Sequence, residues 1–301
     1  MLGEKTMIRE MSGYEVKALH YELLLKDILT AAEKLPPFPD VVWKVMSLLR
    51  KMAPIKQIEE VIQYDPIIAA RILRLSQSTH YSRRHKVTSL KDAILVLGNQ
   101  KLVQVVMAAC TSQYFQKKVT GNARDDRELW RHSVATAFMG EILSGQMKSK
   151  RGLTIYTACL LHDIGKIVLD LYARMYLQVD LDPIRHSGAQ FIEAERRALG
   201  IDHQELGRII ARRWQFPREV ASGIQFHHTP DRADSDREIA QHVYAANLMV
   251  NAMKDEAITP AELQEDPVFQ GMGLSEDRIL KFQDFLLKSM EGVELYLKNG
   301  A

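Results

Sequence analysis

Apolar side chains recur at three- and four-residue spacing through most of this chain, the signature of helices with one buried face. No alternating run long enough for a strand interrupts them. A first amphipathic helix is expected over 14–33, with Leu19, Leu23, Leu24, Ile28 and Leu29 as its stripe. Leu35-Pro-Pro-Phe-Pro39 stops it, because proline removes a backbone donor and pushes the preceding residue towards extended conformations. Asp40 is then the expected N-cap of a helix over 41–50, and 55–63 repeats the pattern. Asp65-Pro66 reads as a cap followed by proline at the first helical position, opening a helix that runs to about Ser76. Thr88 or Ser89 caps 90–97, Gly98 ends that helix, and 102–114 is apolar enough to be mostly buried.

The charged stretch 117–127, which contains Gly121, separates two halves. Beyond it helices are expected near 128–145, 153–170, 188–198, 203–213, 217–226 and 237–254, with a basic connector over 145–152. Pro260, Pro267, Gly271 and Gly273 then break the pattern before a last helix from 275 or 276 to 297, whose apolar face carries Leu280, Phe285, Leu286 and Leu297. The fold class that follows is all-α.

Composition narrows the class. The chain has 301 residues, 46% hydrophobic and 26% charged, which suits a globular protein of one or two domains with a substantial core. Forty basic against thirty-eight acidic residues leave a formal charge of +2, which gives no global electrostatic case for nucleic acid or an anionic membrane. The most basic short run, Arg83, Arg84, His85 and Lys86, is either a solvated loop or a local site for a phosphate or an acidic partner. Cys110 and Cys159 both fall in apolar runs, as buried thiols of a reducing compartment do. Aromatic residues are scattered without a base-stacking cluster, so nucleic acid is not the expected partner. The first thirty residues lack the h-region of a signal peptide, and no segment is expected to span a bilayer. A cytoplasmic location is therefore expected.

Candidate chemistry centres on Thr157-Ala-Cys-Leu-Leu-His162-Asp163-Ile-Gly-Lys166. Imidazole and carboxylate both ligate divalent ions such as Zn, Fe or Mn, and a charge at the end of an apolar run needs a partner. Taken alone, His162 could bond locally and Asp163 could face water. Ten histidines occur in the chain, and His132, His203, His227 and His228 also sit in or at the edge of expected helices. In a helical bundle, ligands converge from facing helices, so wide spacing in sequence is no obstacle. Each of these histidines also has an ordinary alternative: His132 as a surface group, His203 satisfied by Asp202, and His227-His228 as a plain helix end.

The order His, His-Asp, His, His-His resembles the HD metal-dependent phosphohydrolase superfamily, and more closely its HDOD branch, the HD-related output domains of bacterial signalling proteins. Leu35-Pro-Pro-Phe-Pro-Asp40, Gln63-Tyr-Asp-Pro-Ile-Ile-Ala-Ala-Arg71-Ile-Leu and Ser89-Leu-Lys-Asp-Ala-Ile-Leu-Val-Leu-Gly98 are similar to the recurrent phrases of the HDOD amino-terminal half. The resemblance implies a two-lobed helical protein with an HD-domain-like bundle in its second half. Its expected parts are an N-terminal helical extension (1–34), a helical N-terminal lobe (35–120), an HD-like metal-binding lobe (121–255) and a C-terminal helical segment (256–301). It further implies one or two divalent transition metal ions (Fe, Mn, Zn or Ni). His132, His162 and Asp163 would hold one ion, and Asp163 with His203, His227 and His228 the other.

Two departures bear on activity. Superfamily enzymes complete the first metal position with an aspartate on a late helix, where Asn247 stands here; a neutral amide oxygen lowers the affinity of that position. The glycine-tyrosine-proline loop of the cyclic-dinucleotide phosphodiesterases is replaced by Thr229-Pro-Asp-Arg-Ala-Asp-Ser. One reading is a regulatory output module of signal transduction, with a metal-binding pocket, weak or no catalysis, and a protein partner. The other is a working phosphohydrolase on a nucleotide or phosphoester, with Asp163 and Lys166 as catalytic residues and a small phosphorylated ligand.

Overall fold

The computed structural model describes residues 13–76, 87–116, 123–172, 190–255 and 258–298, and all their regular secondary structure is helical. In chain order the helices are α1 Gly13–Lys34, α2 Asp40–Arg50, α3 Ile55–Ile62, α4 Pro66–Ser76, α5 Leu90–Gln116, α6 Ala123–Gln146, α7 Gly152–Leu161, α8 Ile164–Tyr172, α9 Gln190–Leu199, α10 His203–Arg213, α11 Arg218–Gln225, α12 Arg237–Ala252, α13 Pro260–Glu265, α14 Pro267–Gly271 and α15 Glu276–Lys298. Short 3-10 turns over Pro230–Arg232 and Asp234–Asp236 link α11 to α12. The basic run Arg83 to Lys86 lies outside the described residues.

Several helix starts follow from local chemistry. The Asp65 carboxylate accepts from the backbone N–H of Ile68 at 3.0 Å, and Ser89 Oγ accepts from the N–H of Asp92 at 3.1 Å. Asp40 departs from expectation: it is the first residue inside α2, and Pro39 holds the cap position with no side-chain cap bond. The negative charge still sits in the first turn, where the helix dipole favours it. Gly98 interrupts the helical backbone where the first helix was expected to end: at φ 70° and ψ 172° it is non-helical, and the two helical stretches of α5 meet across a kink there.

The core of the second half is built around α7. From Ile155 to Leu161 every side chain of α7 is buried, and the helix packs against α5, α6, α11 and α12. A helix enclosed on all sides has no polar face to show, which is why 153–161 reads as continuous apolar sequence. By length and composition two segments, Leu90–Ser112 and Gly152–Tyr172, would reach across a bilayer, contrary to the expectation from sequence. Their residues are mostly buried inside the protein, as those of core helices are.

The Pro36-Pro37-Phe38 segment is clamped by aromatic rings from distant parts of the chain. Phe38, 2% exposed, lies 5.3 Å from the Trp214 ring, 5.0 Å from Phe216 and 6.1 Å from Tyr114. Tyr114 Oη donates to the carbonyl of Pro37 at 2.7 Å, and Trp214 Nε1 donates to that of Pro36 at 3.0 Å. Burying a ring of this size is worth about 1.5–3 kcal/mol, and the two donors satisfy carbonyls that the prolines leave outside any helix. The aromatics that look scattered in sequence thus form a packed cluster rather than an exposed stacking platform.

Candidate metal centre

The apolar run over 153–170, expected as one helix, is broken in its middle. Helix α7 ends at Leu161, α8 begins at Ile164, and His162 and Asp163 form the turn between them. The turn lies inside the bundle, with His162 0% and Asp163 1% exposed. A break of this kind carries no proline, so the hydrophobic period gives no warning of it.

Histidines from separate elements surround Asp163. Its Oδ2 lies 3.3 Å from His162 Nε2 and 3.8 Å from His132 Nε2, which α6 supplies. Its Oδ1 faces the other way, 3.7 Å from His203 Nε2 at the start of α10 and 3.8 Å from His227 Nε2 just beyond α11. His203 and His227 Nε2 stand 3.3 Å apart, and the His228 ring packs 4.2 Å from that of His227. The residues singled out from the sequence are therefore all brought together. They fall into two groups, His132-His162-Asp163 and His203-His227-His228, and within each group the candidate ligand atoms lie within 4.8 Å of one another.

The rings are oriented from behind. His162 Nδ1 bonds the Cys159 carbonyl and His227 Nδ1 bonds the Ile224 carbonyl, each at 2.7 Å and each three residues back. Both histidines follow the end of a helix, where the last carbonyls have no intrahelical partner. A donor at Nδ1 leaves the Nε2 lone pair for a ligand in front. His203 meets a carboxylate instead: Glu195 Oε2 lies 2.7 Å from its Nδ1 and accepts its backbone N–H at 2.9 Å. Asp202, which the sequence offered as the partner of His203, instead caps α10 by accepting from Glu205 N at 2.8 Å and is itself held by Arg196.

Glu195 and Phe191 escaped the sequence reading. Phe191 stacks on His203 at 5.4 Å, and Lys166 Nζ lies 5.6 Å from the centre of the same phenylalanine ring. A signal was present: Phe191, Glu195, Ala198 and Leu199 fall on one helical stripe, so Glu195 is a charge on the face that must be buried. Its neighbours Glu193, Arg196 and Arg197 made that charge look ordinary.

The electrostatics suit ligation. Burial holds His132, His227 and His228 well below the usual imidazole range, with neighbouring histidines adding to it, so that neutral rings are the resting form. Burial opposes the charge of Asp163, but His162 and Lys166, with His203, outweigh it and keep the group well below the usual carboxylate range. Lys166 Nζ donates to Asp163 Oδ2 at 2.8 Å. The same His132 Nε2 that lies 3.8 Å from Asp163 Oδ2 also meets Asn247 Oδ1 at 3.0 Å, and that oxygen accepts a second bond from Asn251 Nδ2 at 3.2 Å.

A divalent ion fits this donor set. Among the described residues, His162 Nε2, Asp163 Oδ1 and His228 Nε2 are buried without a hydrogen-bond partner. Buried polar atoms are seldom left so, and all of these point into the same cluster. Neutral imidazole nitrogens with one carboxylate are the ligands that zinc, iron, manganese and nickel share.

A helical bundle closed around a buried His-Asp turn and further histidines defines a domain of the His-Asp type. The chain belongs to the HDOD domain family, whose model matches residues 35–230. Among solved structures, it resembles a Shewanella amazonensis SB2B protein provisionally named a phosphohydrolase, with 23% identity and a TM-score of 0.67 over 88% of this chain and 94% of that one. It also resembles an HDOD domain protein of unknown function from Geobacter sulfurreducens, with 19% identity and a TM-score of 0.65 over 91% and 95% of the two chains. A Marinobacter aquaeolei VT8 protein provisionally named a signal transduction protein matches at 20% identity and a TM-score of 0.66, over 91% of this chain and 65% of that one. At these identities the likeness is one of fold. A curated relative, an uncharacterized protein of Treponema pallidum (strain Nichols), is 21% identical over 239 residues, which span 77% of this chain and 45% of the relative.

Proposed function

We propose that the protein is a regulatory output module of signal transduction whose His-Asp pocket binds a metal ion and turns over little or no substrate. The observation that carries this reading is the unequal provision for Asp163's two oxygens. Oδ1 faces His203 and His227, which with His228 offer three imidazole nitrogens and no ammonium. Oδ2 is shared between His162, His132 and the Lys166 ammonium, and the adjoining amide of Asn247 adds no charge. An ammonium at hydrogen-bond distance competes with a cation for the same oxygen. The group on the Oδ1 side is the stronger metal position.

When bound, a pair of ions would supply Lewis-acid activation and clamp phosphoryl oxygens, and a phosphohydrolase of the two-metal kind needs both positions filled. Here Asp163 and the His203 group would hold one ion, while His132, His162 and Asn247 offer a poor second place. Lys166 neutralises Asp163 and presents a cation towards the pocket, and the stacked Phe191 keeps one wall apolar. The second reading, an active phosphohydrolase on a nucleotide or phosphoester, is favoured by the same Lys166, only partly buried and able to meet a phosphate. On the regulatory reading, a protein partner in a bacterial cytoplasmic pathway receives the signal, and the Phe38 aromatic cluster couples the amino-terminal helices to α10.

The test pairs elemental analysis of anaerobically purified protein with a screen of cyclic dinucleotides and other phosphodiesters. The expected result is about one tightly held ion per chain and no turnover of cyclic dinucleotides. Robust hydrolysis that Asp163→Asn abolishes would favour the enzyme instead.

A further inference from the structure

His162 and His227 draw their Nδ1 acceptors from their own helices, because each follows a helix C-terminus with carbonyls to spare. His203 has no such resource. It is the first residue of α10, and a helix N-terminus offers unsatisfied N–H groups and no free carbonyls. Any acceptor for its Nδ1 has to come from another element, and α9 supplies one. Glu195, 0% exposed, uses a single oxygen, Oε2, for both the backbone N–H and Nδ1 of His203, at 2.9 Å and 2.7 Å.

The helix start does not need this carboxylate as a cap, since Asp202 already fills that role with its own bond to Glu205 N. A neutral acceptor would also serve the backbone N–H. A buried carboxylate costs several kcal/mol of desolvation unless its charge is compensated. The orientation it enforces explains its presence: with Nδ1 turned to Glu195, His203 presents Nε2 at 3.7 Å from Asp163 Oδ1 and 3.3 Å from His227 Nε2. The ring is held from the side as well, by stacking on Phe191, one helical turn before Glu195 on the same face.

We propose that Glu195 is the positioning residue of the His203-His227-His228 metal position: it fixes the proton of His203 on Nδ1, aims Nε2 at the ion, and places a second negative charge behind the ligand. This rests on the metal reading above. It goes beyond it by naming what makes one of the two positions the tighter one. The carboxylate behind the imidazole makes the ring a better donor to a divalent ion, an effect worth about 10- to 100-fold in affinity for outer-shell carboxylates.

The experiment compares wild type, Glu195→Gln and the control Glu193→Gln on the exposed face of the same helix. Zinc affinity is measured by competition with a chromophoric chelator, and the His203 tautomer by ¹⁵N NMR on the metal-free proteins. Glu195→Gln keeps size and an acceptor oxygen but removes the charge, so the fold is retained. The expected result is an Nδ1–H tautomer in wild type and zinc affinity about 10- to 100-fold weaker in Glu195→Gln, with Glu193→Gln unchanged. Wild-type affinity in Glu195→Gln would overturn the proposal while leaving the metal reading intact. If wild type binds no zinc, the metal reading falls and this proposal with it; an Nε2–H tautomer in a wild type that does bind zinc overturns the positioning role alone. Should Glu195→Gln fail to fold, Glu195→Asp, which keeps the charge but shortens the reach, is expected to weaken zinc, and unchanged affinity there overturns the proposal.

Discussion

Gly165 and His203 meet backbone to backbone: a β-carbon on Gly165 would stand 2.1 Å from the His203 carbonyl oxygen and 2.9 Å from the Gly207 nitrogen. Both are main-chain atoms of α10 and neither has a rotamer to move. The glycine after the His-Asp turn is therefore what lets α8 lie against α10 closely enough for His203 Nε2 to stand 3.7 Å from Asp163 Oδ1. Gly165→Ala is expected to cost about 3 kcal/mol or more by forcing the helices apart. Gly145→Ala in α6, where a β-carbon meets nothing within 4 Å, is expected to be neutral or to stabilise by up to about 1 kcal/mol. Denaturant melts of both variants check this, and equal stabilities would show that the α8–α10 contact relaxes freely.

This contact also marks where sequence reading stopped. The helices were legible because their apolar period survives in each surface-facing element, and the convergence of the histidines on Asp163 was legible from their order, which resembles that of the HD superfamily. The turn at His162-Asp163 was not, since α7 and α8 are apolar on both sides of it and the period continues across the break. Glu195 was hidden by the charges beside it. The aromatic cluster was hidden by distance, with Trp214 bonding a carbonyl 178 residues away. Periodicity reports which face is buried; it is silent on what that face touches.

That long contact yields a second prediction. Tyr114 and Trp214 donate to the adjacent carbonyls of Pro37 and Pro36, and their rings lie 4.4 Å apart. Tyr114→Phe removes one bond at constant shape and is expected to cost about 1–2 kcal/mol, because it leaves a part-buried carbonyl unpaired. Trp214→Phe adds a packing loss and is expected to cost about 2–3 kcal/mol. Both brace one short segment, so the double variant should lose less than the sum. A double-mutant cycle from urea melts measures the coupling, and strict additivity would mean that the two donors act independently.

A third prediction concerns pH. His242, 4% exposed, bonds the Glu238 carbonyl through Nδ1 at 2.7 Å. Burial holds it below the usual imidazole range, against the pull of the Glu238 carbonyl and carboxylate. A histidine depressed in the folded state binds fewer protons there than in the unfolded chain. Its contribution is thus fully present above the unfolded value of about 6.5 and is lost as pH falls below it. In metal-free protein, cooling of the melting temperature from about pH 7.5 to about pH 5.5 should be smaller in His242→Gln than in wild type, by the equivalent of at most about 1 kcal/mol. Identical pH dependence would place the acid lability elsewhere, on His132, His227 and His228.

The last prediction concerns Asn247. Its Oδ1 accepts from His132 and Asn251 within a site 5% exposed, so an aspartate of the same shape would keep both bonds and add a charge. Without a metal that charge is a burden, since the bonds from His132 and Asn251 bring a buried carboxylate no compensating charge, and the metal-free variant should melt below wild type. With a metal the sign reverses: an anionic ligand next to His132 and His162 strengthens the position that Lys166 and a neutral amide leave weak. Asn247→Asp is expected to raise bound zinc or manganese from about one towards about two ions per chain. It should also enlarge the metal-induced thermal shift, by about 2.7 kcal/mol at a metal concentration a hundred times the new dissociation constant. Elemental analysis and calorimetry read the two effects separately. A variant with unchanged stoichiometry and an unchanged metal-induced shift would show that His132 and His162 serve the fold rather than an ion, and the pocket would then be a one-metal site by construction.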